Sequence, residues 1–289
     1  MKTGIIDIGS NSVRLALSAD GKTLYKRLKT TRLGEGLSLT GRISSSAIER
    51  TAKAVAEFFE EAERDGAEKV YAFATAAVRA SSNGGEFAEY CKTRYGIDID
   101  VISGDIEAKI ALLGALGNSD GGIIDLGGAS CEVTVRENGN TIYSKSVDVG
   151  AVRLLDECGH DRDKLEKFIG EKLKEYGNFS ASKYAMYGVS GTATSLGAVK
   201  HKLIKYDPAI VHGTVLTVDD IGRFADQFLK MTVEEIKNLG YVSVWRADVI
   251  GGASLFLYRL MQYMNIPQMT VSENDNLEGY LIYRCGGGL

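Results

Sequence analysis

The same pattern of hydrophobic and polar positions occurs twice in the first half of the chain. Residues 4–17 read GIIDIGSNSVRLAL and residues 122–135 read GIIDLGGASCEVTV. Six of these fourteen positions are identical at an offset of 118: Gly4/Gly122, Ile5/Ile123, Ile6/Ile124, Asp7/Asp125, Gly9/Gly127 and Ser12/Ser130. Each copy is an apolar run ending in Asp, a Gly-containing turn, and a second run. In the second run Val13, Leu15 and Leu17 alternate with Ser12, Arg14 and Ala16, and Cys131, Val133 and Val135 alternate with Ser130, Glu132 and Thr134. A period of two predicts half-buried strands. Each copy therefore predicts a strand–turn–strand unit, and the repeat predicts two related halves meeting at a cleft.

Helical spacing follows. Apolar Ile48, Ala52, Val55, Phe59 and Ala62 predict a helix over 44–65, with Ser44–Ser46 as N-caps. Further strands are predicted at 70–74, 97–102, 141–147, 184–189 and 267–271. Further helices are predicted at 86–95, 106–116, 162–176, 219–230, 233–238, 246–264 and 277–284. Alternating strands and helices predict an α/β protein with helices flanking mixed sheets. The run GNSDGG at 117–122 is the best boundary. It predicts lobes at residues 1–118 and 119–289, with a C-terminal helix, about residues 275–289, packing back on the first. The apolar helix over 246–264 reads as core or dimer surface, and the charge run 57–64 as a solvated helix face.

Composition adds boundaries. The 289 residues, 44% hydrophobic, exceed what one core usually serves. No run of about 18 apolar residues exists and no leader is visible, which predicts no membrane span and a cytoplasmic protein. Cys91, Cys131, Cys158 and Cys285 form no Cys-x-x-Cys pair, so a zinc ribbon is not expected. They read as small buried hydrophobes, with Cys131 as an oxidation-sensitive exception. Lys and Arg number 34 against 38 Asp and Glu, a net charge of −4. Taken alone, that balance speaks against a nucleic-acid or polyphosphate partner.

Three Gly/Ser/Thr turns change the picture. They are Gly9-Ser10-Asn11-Ser12, Gly127-Gly128-Ala129-Ser130, and the run 188–194 containing Gly191 and Thr192. Glycine lets backbone N–H groups approach an anion, and small hydroxyls add donors. The third turn opens a helix, whose N-terminus favours anions. Asp7 and Asp125, at matched positions, are placed to face each other across the cleft and to suit a hydrated Mg²⁺.

The runs DIGSNSVRL, ATAAVRASSN, ISGDIEA, DLGGASCE, GAVRL, GTATSL and RADVIGGASL, with 271–279, occur in that order. Together they resemble the signature blocks of the exopolyphosphatase / guanosine pentaphosphate phosphohydrolase family. The resemblance implies two ribonuclease-H-like lobes of the actin-like ATPase fold, within the acetate and sugar kinase superfamily, with the active site in the interlobe cleft. It implies a Mg²⁺-dependent hydrolase in which Glu107 is the catalytic base and Arg79 a second catalytic residue. It also implies Asp125, Gly127, Gly128, Ser130 and Glu132 as phosphate- and metal-contacting positions, while Asp7 as a metal position and the first and third turns as substrate-binding ones come from the residue pattern above. Arg14, Arg32 and Arg153 match family positions with less defined roles. The chain departs from the family at Ile106, Lys109, Ala129, Cys131 and Leu277. With only three histidines and no His-Asp doublet, it reads as a short form without the C-terminal extension of longer relatives.

The expected function is hydrolysis of the terminal phosphoanhydride of inorganic polyphosphate. The alternatives are a guanosine pentaphosphate (pppGpp) 5′-phosphohydrolase, a sugar or acetate kinase, and an inactive polyphosphate- or alarmone-binding module. A second copy of the chain is a candidate partner. The acidic balance then narrows to a smaller statement: short chains are favoured unless a local basic track exists.

Overall fold

The computed structural model describes residues 1–285. Its order begins β1 (Lys2–Ile8), β2 (Ser12–Ala19), β3 (Lys22–Thr30), α1 (Leu37–Thr40), α2 (Ser45–Arg64), β4 (Lys69–Ala74), α3 (Ala76–Ala80), α4 (Gly84–Tyr95), β5 (Ile99–Val101) and α5 (Gly104–Leu116). It continues β6 (Gly121–Leu126), β7 (Cys131–Glu137), β8 (Asn140–Val147), α6 (Ala151–Cys158), α7 (Arg162–Leu173), β9 (Met186–Val189) and α8 (Ser190–His201). Then come α9 (Pro208–Val211), β10 (Val215–Thr217), α10 (Val218–Phe228), α11 (Val233–Asn238), α12 (Ile250–Tyr263), β11 (Gln268–Val271) and α13 (Asn276–Cys285).

Two compact units result. The first is Met1–Gly114 with the segment from Asn276 onward, and the second is Ala115–Asp275. Residues 286–289 of the expected last helix lie outside the described residues. The sheets run β3-β2-β1-β4-β5 and β8-β7-β6-β9-β11-β10. In both, three antiparallel strands are followed by a parallel neighbour, β4 on β1 and β9 on β6. This is the ribonuclease-H-like order. The sequence echo extends to backbone irregularity: the β2–β3 ladder shifts register between Leu17 and Ser18, and the β7–β8 ladder between Val135 and Arg136, again 118 residues later.

The first sheet is covered on both faces. One core joins Ile6, Ile8, Val13 and Leu15 to Val55 and Phe58 of α2 and to Phe87 of α4. The other joins Ile5, Ala16 and Phe73 to Leu277 and Tyr280 of α13. Phe73 and Tyr280 stack with ring centroids 4.3 Å apart, and Tyr280 donates its hydroxyl to Asp100 at 2.7 Å. Gly279 lies so close to the Ile110 carbonyl that a Cβ would overlap it. Cover on the second face corrects the alternation expected for β2: Ala16 and Ser18, on that face, are as buried as Leu15 and Leu17.

The edge strand β3 carried no strand signal, because KTLYKRLKT has little apolar alternation. Lysine-rich edges of this kind discourage pairing with other chains. Here the charges also zip to α2. Tyr25 donates to Asp65 at 2.5 Å, Arg27 pairs with Glu61 at 3.0 Å, and Lys29 pairs with Glu57. Two strand residues rise about 6.7 Å and four helix residues about 6 Å, so every second strand position meets every fourth helix position. The acidic run on α2 is thus partly a β3-facing surface rather than a purely solvated one.

In the second unit, α12 supplies Ala253, Leu255, Phe256, Leu257, Leu260 and Met261 to the core, which settles its role as core. The helix starts at Ile250, not at 246, leaving Arg246 in the turn before it. Cys91, Cys131 and Cys158 are buried and Cys285 is exposed. No helix among the described residues is long and apolar enough to cross a membrane.

Asp220 closes a capping box with Thr217 at the start of α10. Its carboxylate accepts from Lys200 at 2.8 Å and pairs with Arg223. Burial raises its pKa, but the Lys200 bond and the two Thr217 bonds outweigh this and hold it at about 2 against a usual 3.8. A folded-state value below the unfolded one means stability that is full above 3.8 and is lost as pH falls toward about 2. Asp220→Asn should cost about 2 kcal/mol near neutral pH, and the difference from wild type should vanish near pH 2. Urea midpoints across a pH series measure this.

Candidate active site

In the first unit the two residues expected to be catalytic meet. Arg79, at the end of α3, donates Nη1 to Glu107 Oε2 at 2.9 Å and to the Ile102 carbonyl at 3.0 Å. Glu107 sits in the first turn of α5, its own N–H donating to Ser103 O at 2.9 Å. Its side chain keeps 21% of its surface exposed, and that of Arg79 36%. Both remain reachable by solvent while the pair fixes the carboxylate's orientation. Gly104, the first residue of α5, lies under the guanidinium: a Cβ there would be 3.9 Å from Arg79 Nη2.

The first two turns have a common construction. Gly9 N–H donates to Ser12 O, and Gly127 N–H to Ser130 O, both at 3.0 Å. The carbonyls are held from behind. Asn11 O accepts from Thr31 and Arg32 N–H at 3.0 and 2.8 Å, and Ser10 O from Gly34 N–H at 2.8 Å. In the second turn Gly127 O accepts from Ala151, and Gly128 O from Val152 and Arg153, all N–H groups at the start of α6. Arg153 Nε adds a bond to Ala129 O at 3.0 Å. Among the described residues, the N–H groups of Ser10, Asn11, Gly128 and Ala129 donate to no backbone carbonyl. Turns whose carbonyls are occupied and whose amides are not present positive edges suited to phosphate.

The third turn differs. Ser190 adopts a left-handed φ of 65° and donates its hydroxyl to Leu126 O at 3.1 Å. Thr192 is fully buried and donates to the same carbonyl at 3.2 Å. Its hydroxyl anchors the turn to β6, so it is committed to structure rather than presented to a substrate. Gly191, like Ser190, is half-buried. Arg246 lies flat against it, and a Cβ there would overlap the guanidinium. Arg246 carried no assigned role in the sequence, where it looked like part of a helix.

The matched carboxylates have different neighbours. Asp7 on β1 is in register with Arg14 on β2, whereas Asp125 on β6 is in register with Glu132 on β7. Asp7 is 4% exposed, and its Oδ2 accepts from Arg14 Nε at 3.1 Å and also from Nη2. A guanidinium therefore stands beside Asp7. Asp125 and Glu132 place two carboxylates on directly opposed positions, about 5 Å apart at Cβ, a like-charge arrangement. Ser146 donates to Glu132 Oε1 at 2.5 Å. No group of three or more His, Cys, Asp or Glu gathers as a metal cage among the described residues. Mg²⁺, which keeps most of its waters, fits the Asp125–Glu132 pair better than Asp7.

Four of the five departures from the family pattern have evident structural settings, and nothing in the structure explains Ala129. Leu277 is buried against Ile5 and Phe73, and Ile106 packs on the same cluster. Lys109 stands 5.9 Å from the Tyr283 ring. Cys131 is fully buried, and burial pushes its thiol well above its usual pKa. A thiol held protonated is a poor target for oxidation, which corrects the expectation of sensitivity.

Two sheets of ribonuclease-H-like order give the chain the actin-like ATPase fold. A family model described as the Ppx/GppA phosphatase family matches residues 15–284, and the chain belongs to that family. Exopolyphosphatase 2 of Mycobacterium tuberculosis is 30% identical over 99% of both chains. The bifunctional 3-dehydroquinate synthase/phosphatase of Fusobacterium nucleatum is 30% identical over 96% of this chain, which spans only 46% of that protein. The solved structure of the Aquifex aeolicus Ppx/GppA family member superposes with a TM-score of 0.84, at 28% identity, over 99% of this chain and 97% of that one.

Gly150 packs against the backbone of Gly128 and Ala129, where a Cβ would overlap both. Gly150→Ala should therefore push the second turn out of shape. The expected result is loss of phosphatase activity by about tenfold or more with the thermal midpoint lowered by only a few degrees, since one misplaced binding element costs rate more than stability. Steady-state kinetics beside a melting curve measure both.

Proposed function

We propose that the chain is an exopolyphosphatase that cleaves the terminal phosphoanhydride of inorganic polyphosphate and releases orthophosphate. The observation that carries this reading is the Arg79–Glu107 pair at the start of α5: a solvent-reachable carboxylate held in one orientation by a fixed guanidinium. The full-length match to the mycobacterial exopolyphosphatase supports it.

In this mechanism Glu107 accepts the proton from a water whose oxygen attacks the terminal phosphorus. The bridging P–O bond breaks, and the shortened chain leaves with the electron pair. Arg79 holds the base and offers charge to phosphate oxygens, to which a guanidinium is geometrically suited. The Ser10 and Asn11 amides of the Gly9–Ser12 turn, in the same unit, suit further phosphate oxygens, and the second unit offers the like amides of Gly128 and Ala129. Asp125 and Glu132 would hold Mg²⁺, which would supply neutralisation of phosphate charge. In phosphoryl transfer such positioning and charge stabilisation provide most of the rate.

A general base contributes about 10²–10⁴-fold, or about 3–5 kcal/mol of barrier. Glu107→Gln should lose that factor in kcat while polyphosphate binding persists. Phosphate release from polyphosphate and from pppGpp, measured in parallel with and without Mg²⁺, is the assay. An unimpaired Glu107→Gln would remove the base assignment, and release from pppGpp alone would replace the substrate.

A further inference from the structure

Segment 22–32, KTLYKRLKTTR, carries five cations and no acid. Lys26, Arg27 and Lys29 are paired with Glu278, Glu61 and Glu57. Where β3 ends beside α2, the first unit has a surface cavity of about 320 Å³ lined in part by Lys29, Thr31, Arg50, Lys53 and Glu57. Three cations therefore face one carboxylate, and Lys29 already holds that carboxylate. Arg50 is fixed as a wall, donating Nε to Thr31 O at 2.6 Å and reaching Glu35 at 3.4 Å. Lys53 is exposed and makes no ion pair within 4 Å among the described residues. Thr31 is only 3% exposed, yet its hydroxyl has no hydrogen-bond partner. Buried polar groups are nearly always satisfied, so this donor marks a place where an acceptor is missing.

We propose that this cavity is an exosite for the distal phosphates of a polyphosphate chain. A polyanion suits it on two counts: excess positive charge and a fixed guanidinium. The cavity wall also belongs to the reacting machinery's support, since Thr31 and Arg32 hold the carbonyl of Asn11 in the first turn. A long chain bound here gains affinity from contacts that a short one does not make, as any second attachment point on a polymer does. The choice of polyphosphate as the anion rests on the function proposed above, while the affinity of the cavity for polyanions does not.

The test is equilibrium binding of end-labelled long-chain polyphosphate to the intact chain in EDTA, over a salt series, with phosphate release from tripolyphosphate in Mg²⁺ measured alongside. Lys53→Glu should weaken long-chain binding by about tenfold at low salt and flatten its salt dependence, because fewer counterions are released. Lys53→Ala should do the same to a smaller degree. Release from tripolyphosphate should not change. Lys69→Glu, a charge reversal on β4 away from the cavity lining, should have little effect on binding. Long-chain binding unaltered in both Lys53 variants would overturn the exosite. So would an equal loss in Lys69→Glu, or a parallel loss of tripolyphosphate hydrolysis in Lys53→Glu. Lys53-dependent binding without any phosphate release would leave the exosite standing and remove the exopolyphosphatase reading instead.

Discussion

The geometry of each half rests on one cross-strand position. At the end of the first hairpin a carboxylate stands opposite its partner strand, and the identity of the residue facing it decides the chemistry. In the first unit Asp7 faces Arg14, and the charges cancel within the protein. In the second, Asp125 faces Glu132, two carboxylates in register. The same backbone therefore sets opposite charges against each other in one unit and like charges in the other. The turns that follow are closed by the same hydrogen bond in both units, so phosphate-suited amides recur in each.

Much of the fold was legible in the sequence because its causes are local. The helix over 44–65 follows from apolar spacing and Ser44, whose hydroxyl accepts from Ala47 N–H as its N-cap. The hairpins follow from alternation and from the Asp-x-Gly turns. What stayed hidden depends on partners distant in sequence. β3 lacks apolar alternation because its outward residues answer to α2, about thirty residues or more away. The burial of Ala16 depends on α13, from the far end of the described chain. The start of α12 was placed four residues early because Arg246 continues a helical pattern while its guanidinium is held at Gly191.

The candidate site was legible unevenly for a related reason. Spacing alone gives no cause for Arg79 and Glu107 to meet; family resemblance named both, and the packing of α3 beside the start of α5 joins them. The small-residue turns were visible as composition, but their carbonyl supports were not, since Thr31, Gly34 and the first turn of α6 contribute through backbone groups that any residue possesses. Thr192 shows the opposite error. A hydroxyl in a glycine-rich turn looks like a ligand-binding donor, yet this one faces inward to Leu126. Hydroxyl direction is set by the turn's dihedral angles, which a string of residue types does not record.

The discontinuity of the first unit has a consequence for biosynthesis. Its second core is completed by Leu277 and Tyr280, and its bond from Thr23 to Glu278 spans 255 residues. The second unit, continuous from Ala115 to Asp275, has every residue it needs before α13 is translated. Domains generally fold as units during synthesis, so the later-encoded unit can finish first. Until α13 emerges, Ile5 and Phe73 lack their cover, and a nascent first unit presents that apolar sheet face to whatever chaperone or neighbouring chain is at hand.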